Sequence, residues 1–223
     1  MLINLDGVLN QDQLVVANDL LGRGKFVPGV TSAGEMARRE KHNLELVADD
    51  EHKKGLDNLV MGALLRHPVY LNAGLPRKIA APFFAIYGKG MGYGSHIDNP
   101  VMGVGEPYRS DIAITIFLND PRDYEGGELE IQTGFGAQQV KLNAGNGVMY
   151  PASSRHQVNE VVSGERRVAV TWMQSLVPEG DRRELLYQMY LAKESLGNSD
   201  PDAESTVQVE QSYCNLMRMW SRV

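Results

Sequence analysis

The sequence predicts a mainly β protein, with a barrel or sandwich core flanked by helices at both ends of the chain. Three observations predict it. Between Ile79 and Val177, short alternating segments follow one another with turn residues at close intervals, a pattern that favours a closed or two-layered sheet over an open parallel one. Before Ile79 and after Pro178, apolar residues recur at helical spacing instead. The 223 residues are enough for one large domain or a domain with a helical appendage. The expected division is a supporting helical segment over 1–78, a β core over 79–177 and a helical extension over 178–223.

Taken in order, Leu14, Val15, Ala17, Leu20 and Leu21 predict a helix from Asn10 to Gly24, with Asn10 or Asp12 as its cap and the glycines as its stop. Phe26-Val27-Pro28-Gly29 reads as a turn, and Thr31 to Glu40 as a polar, partly exposed stretch. His42 to Leu46 alternates like one short strand. Asp49 to Arg66 reads as a second helix with Leu56, Leu59, Val60, Ala63, Leu64 and Leu65 on its apolar side. Both helices are expected to support a sheet from outside. His42, His52 and His67 fall in these regions and are read as surface or packing residues.

Strands are predicted at Pro82–Tyr87, Ile112–Leu118, Glu128–Ile131, Val140–Leu142, Gly147–Tyr150, His156–Val158 and Arg166–Leu176. Gly126-Gly127 reads as a turn. Gly88, Gly90, Gly92 and Gly94 could cradle a phosphate, but no helical run follows them, and close backbone packing beside a site explains them better. Helices are predicted over Arg182–Leu196 and Glu204–Arg222. Their aromatic and methionine stripe reads as core or as a dimer face, and Tyr187, Tyr190, Tyr213 and Trp220 raise the expectation of a homo-oligomer formed through the terminal helices.

Composition bounds the function. With 43% hydrophobic and 22% charged residues, the chain reads as an ordinary soluble globular protein. A net charge of −6 argues against general binding to a phosphate backbone, so no nucleic-acid partner is expected. No apolar run approaches the ~20 residues of a membrane helix, and Met1 to Asp6 lacks the features of a signal peptide. Cys214 is the single cysteine, which excludes an internal disulfide and fits a reducing compartment. The expectation is a cytoplasmic protein without a membrane partner, with Cys214 as a packed thiol.

Chemistry concentrates at Ser95-His96-Ile97-Asp98. On an extended strand His96 and Asp98 leave the same face, and a third ligand would complete a set of two imidazoles and one carboxylate, which suits iron(II) and leaves coordination positions open. Among the five histidines, only His156 lies downstream in the strand-rich region. Spacing alone leaves His156 with two readings, a ligand or a hydrogen-bonded histidine.

Tyr87-x-x-Gly90-x-x-Tyr93-x-x-His96-x-Asp98 resembles the approach to the iron site in prolyl-4-hydroxylase-like 2-oxoglutarate dioxygenases. Gly126-Gly127-Glu128-Leu129 resembles the turn and strand in the middle of these enzymes. Gly147 to Pro151 followed by His156 is similar to the segment carrying their distal histidine, and Arg166 stands ten residues further on. The resemblance covers roughly Phe83 to Val177. It extends to the bacterial PKHD-type hydroxylases through His96-Ile97-Asp98-Asn99, Arg109-Ser110-Asp111 and Trp172-x-Gln174-Ser175-Leu176, and through their similar length and helical C-terminal extension.

The resemblance implies a double-stranded β-helix of the jelly-roll or cupin-like kind. It implies Fe(II) held by His96, Asp98 and His156, with 2-oxoglutarate as cosubstrate, dioxygen as oxidant, L-ascorbate as a reductant, and hydroxylation of a C–H bond with release of succinate and CO2. Arg166 would bind the far carboxylate of 2-oxoglutarate through its planar, permanently charged fork. Arg167 would point to the opposite strand face, in a surface ion pair. Tyr87 has two readings, a hydroxyl donor to the same carboxylate or a packed aromatic. In the loop Pro100–Ser110, Met102, Tyr108 and Arg109 are placed to touch a peptidyl or small-molecule substrate, although Arg109 could equally pair with an acidic neighbour. Two other classes remain at this stage: a non-catalytic cupin-like sensor of metal or 2-oxoglutarate, and a metal-free interaction protein.

Overall fold

Helix ends follow their local chemistry. In the computed structural model, which describes residues 1–32, 40–103 and 105–223, helix α1 spans Gln11–Arg23. The Asn10 side chain accepts from the Gln13 backbone N–H, and the Gln13 side chain accepts from that of Asn10, each at 2.9 Å. This reciprocal cap satisfies two otherwise orphaned donors, and Gly24 ends the helix. Helix α2 (Lys53–Leu64) is shorter than expected and buries Leu56, Val60, Ala63 and Leu64. A further helix that the sequence did not announce, α3 (Pro68–Gly74), has proline in its first turn and His67 as its cap, accepting from the Tyr70 N–H at 3.3 Å. The other ring nitrogen of His67 lies 3.0 Å from the Asp6 carbonyl, so this histidine joins two segments and is buried.

The strands are β1 (Ile3–Leu5), β2 (Phe26–Pro28), β3 (Lys41–His42), β4 (Leu44–Leu46), β5 (Pro76–Ile79), β6 (Phe83–Gly88), β7 (Gly92–His96), β8 (Val101–Met102), β9 (Tyr108–Arg109), β10 (Ile112–Phe117), β11 (Tyr124–Gly126), β12 (Leu129–Thr133), β13 (Gly136–Val140), β14 (Gly147–Pro151), β15 (His156–Val158) and β16 (Val161–Ser175). Among the described residues, the larger sheet runs β1-β14-β10-β16-β6-β4-β2, with β5 and β11 pairing to β16 as well. The smaller sheet runs β13-β12-β15-β7-β3, and β8 and β9 form a separate ribbon. Pairing is antiparallel throughout the larger and smaller sheets.

Two local expectations change. Phe26–Pro28, read as a turn, is a strand at the end of the larger sheet, a place where proline's missing donor is tolerated. His42 to Leu46, read as one strand, is split: β3 joins the smaller sheet and β4 the larger one, with Asn43 between them. Most of Thr31–Glu40 lies outside the described residues.

Alternation within strands sorts residues into two cores. Ile112, Ile114 and Ile116 of β10, Ala169 and Met173 of β16 and Met149 of β14 face α1, α2 and α3 in one cluster. Ala113 and Phe117, Val168, Val148 and Tyr150 face the other way, toward Leu129, Ile131, Val140 and Val158 of the smaller sheet. All six residues of β10 are therefore buried. Burying a leucine such as Leu56 or Leu64 contributes roughly 1.5–3 kcal/mol, which explains how short helices stay anchored. Helices α4 (Gly180–Ser199) and α5 (Glu204–Trp220) close the chain. Leu186 packs on Leu75 and Val177, joined by Tyr213, Leu216, Met217 and Trp220. The Tyr187 and Tyr190 rings stack, and Tyr190 meets Tyr213, so these aromatics find partners inside the chain. Cys214 is half-buried in α5. No described helix is long and apolar enough to cross a membrane.

Candidate active site

The interior between the two sheets carries chemistry at both ends. Strands β7 and β15 of the smaller sheet pair so that His156 stands directly opposite His96. Asp98 follows two residues after His96, and its Oδ1 lies 3.9 Å from Nε2 of His96 and 3.8 Å from Nε2 of His156. One donor atom from each of the three residues falls within 4.8 Å of the others. The spacing predicted the His96–Asp98 half of this set, and strand register brings in the rest.

Each of these side chains is held from behind. Nδ1 of His96 is 2.8 Å from the Gly94 carbonyl and Nδ1 of His156 is 3.0 Å from that of Ser154. Both carbonyls can only accept, so these bonds assign the proton to Nδ1 and leave the Nε2 lone pairs facing Asp98. The Trp172 indole N–H donates to Asp98 Oδ2 at 2.9 Å, leaving Oδ1 as the oxygen turned to the imidazoles. Tyr93 stacks on His96 at 3.7 Å between centroids, and Tyr150 meets His156 edge-on at 5.1 Å. Burial, helped by His156, lowers the His96 pKa to about 4, so its imidazole is neutral and able to ligate at neutral pH. Burial pushes the Asp98 carboxyl up, opposed by His156 and the Trp172 N–H. Two imidazoles with Nε2 turned inward beside a desolvated carboxylate fit a divalent cation, which supplies the missing charge.

On the opposite sheet, β16 turns Arg166 inward. Arg166 is 1% exposed, with the Tyr87 ring 5.0 Å and the Phe117 ring 5.5 Å from its guanidinium carbon. Its Nε and Nη1 have no hydrogen-bond partner among the described residues. Two buried guanidinium nitrogens without an acceptor are costly, and they fit an incoming carboxylate. The adjacent Arg167 faces outward, bonded to Glu165 at 2.6 Å and to Asn18 at 3.1 Å. Asn43 lies within hydrogen-bond reach of the Tyr87 hydroxyl.

The loop residues separate. Val101–Met102 and Tyr108–Arg109 pair as the β8–β9 ribbon, with the Tyr108 hydroxyl 3.6 Å from Met102 sulfur. Tyr108 is near enough to Asp98 to feel its charge. Arg109 donates twice to Asp111, at 2.5 and 2.9 Å, and Asp111 also accepts from the Ser175 backbone. Arg109 thus has its acidic neighbour. Trp172, the donor to Asp98, was missed as a site residue. Trp172 lies six residues beyond Arg166, hence on the same strand face, and that signal was available. A surface groove of about 570 Å³ lies elsewhere, between α1 and the outer face of β16, lined by Asn18, Asn119, Glu165 and Arg167 among others; it holds none of the donor set.

Comparisons with known proteins place the chain in a family. The 2OG-Fe(II) oxygenase superfamily model matches residues 82–174, and the PKHD-type hydroxylase C-terminal domain matches 181–222. A prolyl-4-hydroxylase of Pseudomonas putida shares the fold at 19% identity, covering 78% of this chain and 92% of that one with a TM-score of 0.55. A prolyl hydroxylase from Trichoplax adhaerens, solved with a hypoxia inducible factor peptide fragment, does so at 18% identity, covering 77% and 82%, with a TM-score of 0.55. Fold and site together define a 2OG-Fe(II) oxygenase with a jelly-roll core. A PKHD-type hydroxylase of Thioalkalivibrio sulfidiphilus is 46% identical over 224 residues, covering 100% of both chains. The chain belongs to the PKHD-type hydroxylases, and is an enzyme dependent on iron and 2-oxoglutarate.

Proposed function

We propose that this enzyme binds Fe(II) through His96, Asp98 and His156, anchors 2-oxoglutarate on Arg166, and hydroxylates a C–H bond of a peptidyl or small-molecule substrate with release of succinate and CO2. The observation that carries this reading is the pairing, inside one barrel, of a braced three-donor set with a buried guanidinium, two of whose nitrogens have no acceptor among the described residues. Bound Fe(II) would supply the centre at which dioxygen and the 2-oxo acid react. The chain's own work is positional. The Gly94 and Ser154 carbonyls fix the imidazole tautomers, and Trp172 turns Asp98. Arg166, with Tyr87 beneath it, holds the far carboxylate and so orients the reactive end toward the metal. The β8–β9 ribbon, with Met102 and Tyr108, would contact the prime substrate, since Tyr108 lies near enough to Asp98 to feel its charge; the Trichoplax relative was solved with a peptide. L-ascorbate would serve as reductant, and the cytoplasm as the site of action.

Anaerobic addition of Fe(II) and 2-oxoglutarate should give the weak visible charge-transfer band of a chelated complex. An absent band, or one that persists in His96→Ala, would sink the proposal. Succinate formation from 2-oxoglutarate in air, lost in Asp98→Ala together with stoichiometric iron, completes the test.

A further inference from the structure

Tyr124 has no part in the reading above, yet its surroundings are those of a ligand-binding residue. It opens β11 opposite Gly164 of β16, two residues before Arg166, and its ring belongs to the inner core cluster. Its hydroxyl is buried and donates to no acceptor among the described residues, and Nε and Nη1 of Arg166 likewise have no acceptor there. These unsatisfied atoms are neighbours. A Cβ added to Gly127 would lie 3.1 Å from Cε2 of Tyr124 and 3.2 Å from Cδ of Arg166, so both side chains flank one glycine. That glycine also holds φ +67°, which explains why the turn needs the Gly126-Gly127 pair.

The ring is fixed in place. Nζ of Lys141 sits 4.1 Å from its centroid and donates to the Tyr124 and Gly126 carbonyls at 2.8 and 3.1 Å. Burial raises the Tyr124 pKa, opposed by the Arg166 charge and by the guanidinium as a donor to the hydroxyl oxygen, so the hydroxyl keeps its proton and is available as a donor. A fixed cation and a fixed O–H with no acceptor nearby match the two oxygens of one carboxylate. Tyr87, with Asn43 beside its hydroxyl, supplies the wall beneath the guanidinium.

We infer that Tyr124 is a second donor to the far carboxylate of 2-oxoglutarate, beside Arg166, and that it helps select 2-oxo acids bearing that carboxylate. The inference rests on the proposed cosubstrate site. It is tested by anaerobic titration of the Fe(II) protein with 2-oxoglutarate and with 2-oxopentanoate, which lacks the far carboxylate, read by calorimetry and by the visible band. Tyr124→Phe removes a hydroxyl whose proton has no acceptor, so its melting temperature should shift by a few degrees at most. The variant should bind 2-oxoglutarate roughly tenfold more weakly and 2-oxopentanoate within about twofold of the parent. Unchanged 2-oxoglutarate affinity, or an equal loss for both acids, overturns the role of Tyr124 alone. Failure of the parent protein to bind 2-oxoglutarate overturns the cosubstrate site and this inference with it.

Discussion

The two ends of the barrel interior are built on opposite terms. At the end on the smaller sheet, the ring nitrogens behind the donor set are bonded to carbonyls, and the outer oxygen of Asp98 is bonded to an indole. At the end on the larger sheet, two guanidinium nitrogens and a phenol have no acceptor among the described residues. The first end is organised before any ligand arrives, through imidazoles whose Nδ1 atoms are bonded to backbone carbonyls. The second is held open by packing against aromatic rings and is completed only by an anion. Preorganisation therefore comes from hydrogen bonds at one end and from shape at the other.

The largest effect expected from this contrast is at Arg166. Arg166→Met keeps the apolar stem against Tyr87 and Phe117 while removing the charge. 2-oxoglutarate affinity should fall at least about a hundredfold, since a charge-assisted two-bond contact and the countercharge go together. The ligand-free protein should gain stability, by about 1–3 kcal/mol, because a buried donor group without an acceptor is deleted. Calorimetry and thermal melting check both halves. A destabilised variant would show that the far end is satisfied in a way its geometry does not reveal.

Much of this was legible in the sequence, and the failures have physical causes. The cap at Asn10, the stop at Gly24 and the alternation of β10 depend on neighbours within a few residues, so local reading finds them. The handover of His42–Leu46 between two sheets is invisible to periodicity, because both halves alternate alike and only the partners differ. Helix α3 escaped because seven residues are too few for a helical period to stand out. His96 and Asp98 are local and their pairing was plain. That His156 stands opposite His96 is a matter of register between strands 60 residues apart; its place in the strand-rich region left two readings, and the family resemblance favoured the ligand. Tyr124 was hidden because its value lies in an unmet hydrogen bond, which no pattern of residue types displays.

A smaller effect tests the braced end. Trp172→Phe should preserve the edge contact to Phe83, now 5.7 Å between centroids, and lose the bond to Asp98 Oδ2. Outer hydrogen bonds to metal ligands typically matter by ten- to a hundredfold, so Fe(II) affinity should fall roughly tenfold, with folding intact. Titration of the variant with Fe(II) or Co(II) under anaerobic conditions measures it. An unchanged affinity would mean that Asp98 is oriented by the chain after β7 alone, and the braced end would owe less to hydrogen bonds than the contrast holds.

The smallest effect is expected one residue away from the largest. Arg167→Ala removes a side chain that is partly exposed and bonded to Glu165 and Asn18 on the outer face of β16, in the groove beside α1. Its backbone N–H, bonded to the Asn119 side chain at 2.8 Å, is retained. Exposed ion pairs contribute about 0–1 kcal/mol, so the melting temperature should shift by a few degrees at most. 2-oxoglutarate affinity should stay within about twofold, because the strand's alternation keeps this side chain out of the barrel. A large loss of 2-oxoglutarate binding in Arg167→Ala, with Arg166→Met unaffected, would reverse the assignment of the two faces of β16 and move the cosubstrate to the outer groove.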